Sequence, residues 1–186
     1  MNVVVAQLLP KGVLLASLPA ATQKMLAEAV LLGNEIQSFL GVQCVPTSGM
    51  RLPADVQRLR DLGYNPSTTS DHFYGMAVAQ PAGGVYTASI GAVDLGVPNL
   101  DKLFLKIVQY FASRKPVDRP RQLIYETGVH ANGWHYNWLH YANIPSKVLS
   151  ADVAASRLHR SPLLTSEDGG RTYQPYDPAH PRTLKV

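Results

Sequence analysis

The chain has 186 residues, 46% of them hydrophobic and 16% charged, with a formal net charge of +4. That is enough apolar material to bury the core of one domain, and too much for an intrinsically disordered chain. Its 17 Lys and Arg residues are spread along the chain without a dense run, so the basic balance reads as a solvated surface, the alternative being weak attraction to an anionic polymer such as nucleic acid or cell wall. Cys44 is the single cysteine, which excludes an intrachain disulfide and a Cys-rich zinc site. Within Val42-Gln-Cys-Val45 it reads as a small buried hydrophobe.

In chain order, the opening MNVVVAQLLPKGVLLASLPAA has the apolar look of a secretory leader. No basic residue precedes the apolar run, and Pro10 and Lys11 interrupt it, so it reads as structural with no signal peptide. No stretch has the length of a membrane span. From Thr22 to Leu40 the apolar residues Met25, Leu26, Ala29, Val30, Leu32, Ile36, Phe39 and Leu40 fall at helical spacing, and Gly41 predicts the stop. Val42 to Thr47 reads as a short strand. Pro53 opens a second helix with Val56, Leu59 and Leu62 inward, and Gly63 closes it.

A polar loop, Tyr64 to Ser70, leads to His72. Gly75 to Ala79 reads as a strand, Pro81-Ala-Gly-Gly84 as a turn, and Val85 to Leu95 as the strand that completes a hairpin. Pro98-Asn99 starts a third helix with Leu100, Leu103, Phe104, Ile107, Val108 and Phe111 on one side. Gln122 to Glu126 and Trp138 to Ala142 are two more strands, joined by a loop that holds His130 and His135. The sum is an α+β domain, a small and mostly antiparallel sheet with helices packed on it, over residues 1–150. Residues 151–186 weaken in pattern and carry prolines at 162, 175, 178 and 181. They read as an extended C-terminal segment that docks on a partner or a neighbouring subunit.

Four pieces carry candidate chemistry: Thr47-Ser-Gly-Met-Arg51, Ser70-Asp-His-Phe-Tyr-Gly75, Gly91-Ala-Val-Asp94 and Trp138-Leu-His140. In this order they resemble the M15 family of zinc peptidases, the D-Ala-D-Ala carboxypeptidases and the phage endolysin and tail-associated peptidases. That family reads S-G-x-R, then S-x-H-x-x-G-x-A-x-D, then W-x-H, and the resemblance spans roughly Leu26 to Asn143. It implies zinc held by His72, an aspartate and His140. It also implies that Arg51, with Ser48 and Tyr74, meets a peptidoglycan peptide.

Two positions depart from the pattern. Ala79 stands where the family has its aspartate, and Asn137 where a catalytic glutamate often lies. Ser89-Ile-Gly-Ala-Val-Asp94 repeats the small-residue-then-Asp ending, so residues from Met76 to Ala88 read as an inserted excursion and Asp94 as the ligand. The plain alternative is a solvated Asp94 before a Leu-Gly turn. Glu126, ending an apolar strand, stands as the candidate base, or else as a strand-end acid or a partner of a ligand histidine. His135 is a second candidate proton donor. His130, His159 and His180 read as incidental.

Arg51 has its own plain alternative, a surface residue facing Asp55. Tyr74, Tyr125, Trp134 and Tyr141 form either an aromatic wall or core. Two imidazoles and one carboxylate suit a zinc that keeps an open position and activates water. By resemblance, the function is hydrolysis of stem-peptide or cross-bridge amides in peptidoglycan by a phage virion (tail) component or lysin, located on the virion or at the host cell envelope. The alternative is a catalytically inactive structural or wall-binding tail protein. No nucleic acid is expected as a partner.

Overall fold

The architecture comes from a computed structural model that describes residues 2–61, 71–79, 85–87, 91–115, 118–120, 122–129, 133, 135–142, 164–166 and 174–175. The described residues form three helices, α1 (Ala20–Leu40), α2 (Asp55–Asp61) and α3 (Leu100–Ala112), and the strands β1 (Val45–Ser48), β2 (Ala77–Ala79), β3 (Val85–Thr87), β4 (Ala92–Gly96), β5 (Gln122–Val129), β6 (His135–Ala142), β7 (Leu164–Ser166) and β8 (Gln174–Pro175). The α+β expectation is met.

Helix α1 ends where the sequence predicts, because Gly41 takes a left-handed conformation (φ 67°) and its N–H closes on the Gln37 carbonyl. Helix α2 starts past Pro53. Asp55 Oδ2 accepts the Leu52 N–H at 3.0 Å and makes the residues before it a turn. Helix α3 buries Leu100, Phe104, Ile107, Val108 and Phe111.

Strands β1, β4, β6 and β5 lie side by side and antiparallel. Strand β7 adds parallel to β5, and β8 pairs with β7. Period-two alternation separates the faces of this sheet. Val93, Leu95, Leu123, Tyr125, Leu139 and Tyr141 enter the core with α1 and α3. On the other face, register aligns Asp94, His140 and Ile124 in one row, with Glu126 and Trp138 in a neighbouring row. Asp94, His140, Glu126 and Trp138 are therefore on the face away from the core helices.

Two expectations need correction. Val85 to Leu95 is not one strand: β3 pairs with β2 in a separate two-stranded sheet, whereas β4 belongs to the main sheet. His135 lies inside β6, paired with Val129, and not in a loop, because the β5–β6 ladder runs further than the apolar run suggests. Within the C-terminal segment, the described residues of β7 pair in parallel with β5. The loop 64–70, the turn 81–84, His130, Trp134, His159, His180 and the rest of 151–186 lie outside the described residues. Among the described residues, no helix is long and apolar enough to cross a membrane.

The N-terminal stretch is structural as expected, with Val3 and Leu8 in the core. Cys44 is buried as well, and burial pushes its thiol up to about 11. Less than about 1% of it is thiolate at pH 8. A disulfide reagent is expected to react with it only on unfolding, and immediate reaction of the native chain would contradict its burial. The sign of the linkage follows. The unfolded thiol ionises first, so this contribution to stability is whole below about pH 8.5 and declines as pH rises towards 11.

Candidate metal centre

Three side chains from separate parts of the chain converge on the outer face of the sheet. His72 comes from the 3-10 turn Asp71–Phe73, Asp94 from β4 and His140 from β6. One ligand atom from each lies within 4.8 Å of the others. Asp94 Oδ1 is the shared point, 2.6 Å from His140 Nδ1 and 3.5 Å from His72 Nε2. Asp94 and His140 are directly paired across β4 and β6, so register alone brings their side chains together.

His72 is oriented by backbone. Its Nδ1 lies 2.5 Å from the Gly49 carbonyl, which makes Nδ1 the protonated nitrogen and turns Nε2 towards Asp94. Its own carbonyl accepts the Arg51 N–H at 2.8 Å. The chain then reverses through two left-handed residues, Tyr74 (φ 49°) and Gly75 (φ 82°). Thr22 Oγ1 donates to the Tyr74 carbonyl.

The Tyr74 ring lies against Gly91, and its hydroxyl donates to the Ala92 carbonyl at 2.9 Å. The same residue that ends the His72 turn thereby fixes the start of the strand carrying Asp94. This overturns the expected substrate role of Tyr74: a side chain with no exposed surface touches no substrate. Tyr125 and Tyr141 are buried in the core likewise and form no wall.

Burial by itself would raise the Asp94 carboxyl, but the imidazoles of His72 and His140 outweigh it and hold the group well below the ordinary carboxylate range. Asp94 is thus an anionic oxygen donor between two nitrogen donors. The set fits a divalent ion of the zinc type, whose tetrahedral bonds of roughly 2.0–2.1 Å put neighbouring donors about 3.3 Å apart. The His72–Asp94 spacing already matches, and the His140–Asp94 hydrogen bond must widen. His72 and Asp94 are almost sealed, with side chains 3% and 5% exposed, whereas His140 and Arg51 are 13% and 28% exposed. The centre is therefore reached from the side of His140 and Arg51.

Arg51 faces the centre and not Asp55: its guanidinium is 3.9 Å from Asp94 Oδ2, while Asp55 pairs with Arg58. Ser48 sits opposite Asp94 on β1. Glu126 is outside the cluster, one row along the same face and about 7 Å from the His140 row at the usual strand rise. Trp138 Nε1 donates to its Oε2. Asn137 is on the opposite face from His140 and donates to the Tyr125 hydroxyl. Ala79 lies in β2, in the two-stranded sheet and not in the main one.

Two contributors escaped the sequence reading. The Gly49 carbonyl was hidden because backbone acceptors leave no residue-type signal, and Trp138 was read only as part of a motif. Comparison of the chain with protein-family models, with curated proteins and with solved structures finds no match in any of the three.

Proposed function

We propose that the protein is a zinc peptidase-like hydrolase of the M15 type, acting on stem-peptide or cross-bridge amides of peptidoglycan as a phage virion component or lysin. The observation that carries this reading is the convergence of His72, Asp94 and His140, with Arg51 at the open side. The four motif pieces in order support the family reading, as does the position of Ala79 in a separate two-stranded sheet ahead of β4, which carries Asp94. When bound, zinc supplies Lewis-acid activation of water and polarises the scissile carbonyl.

The protein's own groups have separate tasks. Arg51 presents a fork of donors to a substrate carboxylate or carbonyl at the mouth of the site. Glu126 takes a proton from the attacking water and returns it to the departing amine. The Trp138 N–H at Oε2 holds that carboxylate in place, with the proton carried at Oε1. The competing reading, an inactive tail scaffold that keeps the fold, is favoured by the absence of an acid at Ala79 and Asn137.

Zinc titration of the purified chain, followed by digestion of purified peptidoglycan, separates the two. About one equivalent of zinc with release of new amino termini is the expected result. Zinc uptake without digestion supports the scaffold with a residual metal, and no uptake removes the metal centre altogether. Glu126→Gln is expected to slow digestion by about 100-fold or more with zinc affinity unchanged. Digestion at the unmodified rate removes Glu126 from the mechanism.

A further inference from the structure

The turn that orients His72 is itself built on the N-terminal segment. Met50 N–H donates to the Leu8 carbonyl at 2.7 Å. A Cβ on Gly49 would stand 2.6 Å from both Cα and the carbonyl oxygen of Leu8, so the two backbones touch at a position only glycine fills. Leu8 follows a 3-10 turn, Val5–Gln7, which the Gln7 side chain closes onto the Val4 N–H. At the far end, the Asn34 side chain accepts from the Val3 N–H at 2.8 Å and donates to the Val3 carbonyl at 3.0 Å. Both Val3 and Leu8 are buried. A continuous path of contacts thus runs from Asn34 through Val3 to Leu8, then to Gly49 and the His72 imidazole.

We infer that the segment Val3–Leu8 is a positioning strap for the metal centre: it holds the Gly49 carbonyl where it fixes the ring orientation of His72. The segment lies outside the stretch that resembles the peptidase family, so the centre of this chain depends on residues remote from every motif. The inference rests on the metal-centre reading for its affinity readout, but its geometric content does not. Partners that orient a ligand histidine commonly change metal affinity by about 10–100-fold when lost.

The test uses the full chain, with Gly49→Ala to push the strap off the turn and Asn34→Ala to release its far end. Ile36→Val serves as a core control on the same helix. Zinc affinity is measured by competition with a chromogenic chelator, and the His72 Nδ1–H resonance is followed by NMR in the metal-free protein. Folding is checked by circular dichroism. Gly49→Ala is expected to bind zinc about 10–100-fold more weakly and to lose the hydrogen-bonded His72 resonance, while Ile36→Val changes neither.

A folded Gly49→Ala that keeps both wild-type affinity and the resonance overturns the strap. If that variant does not fold, Asn34→Ala decides by the same two readouts. If the unmodified chain takes up no zinc, the metal-centre reading fails separately, and the resonance alone decides the strap.

Discussion

Asp94→Asn is expected to lower zinc affinity by more than about 100-fold, beyond the loss seen for groups that merely orient a ligand. The carboxylate is the point the two imidazoles share, with Oδ1 at 2.6 Å from His140 and 3.5 Å from His72. Asparagine fills the same volume and still offers an oxygen to His140 Nδ1, so the fold survives. What it removes is the negative charge that offsets a divalent cation at a largely buried donor. The measurement is chelator competition on the folded variant, with His72→Ala as a parallel loss of a donor. An Asp94→Asn protein that binds zinc as tightly as the unmodified chain would take the carboxylate out of the centre and leave only a buried hydrogen-bond network.

Gly91→Ala is expected to be strongly destabilising, with the tightest clash found among the described glycines. A Cβ at this position would lie 2.2 Å from Cε1 and 2.5 Å from Cζ of Tyr74. The ring cannot retreat, because it is fully buried and its hydroxyl is tied to the Ala92 carbonyl. Overpacking of this kind costs about 3 kcal/mol or more at its upper end. For a chain of this size that is a fall in melting temperature of roughly 6–12 °C.

Because Gly91 immediately precedes β4, the strand that carries Asp94, the displacement reaches the centre, and zinc affinity should fall with stability. Tyr74→Phe is the milder partner. It keeps the ring and loses one hydrogen bond, about 1 kcal/mol. Thermal melts of both variants decide the point, and a Gly91→Ala protein with unchanged melting temperature would show that Tyr74 does not link the His72 turn to β4.

The helices were legible because their signals are local. In α1 the apolar residues recur within each turn and Gly41 supplies the left-handed stop. In α3 the Leu100, Phe104, Ile107, Val108 and Phe111 face is a period that no neighbour is needed to read. The hairpin was read less well. A run from Val85 to Leu95 has nothing in its composition to say that its two ends belong to different sheets, since each end is decided by its pairing partner.

Among the site residues, His72, Asp94, His140 and Arg51 were named from motif order, and all four meet in space. Tyr74 was misassigned because an aromatic beside a ligand histidine looks the same in sequence whether its ring faces a groove or a glycine.

By itself, the sequence determined the helices, the alternating strands that sort polar from apolar faces, and the supply of two histidines and an acid for a centre. Tertiary structure alone decided that they meet. Asp94 and His140 are 46 residues apart, yet strand register places them opposite one another. Leu8 reaches the turn that orients His72 through a backbone hydrogen bond to Met50 and close approach to Gly49. Periodicity and capping act within a few residues, whereas pairing register and close approach depend on what the distant chain presents, and that is set by burial of the whole core.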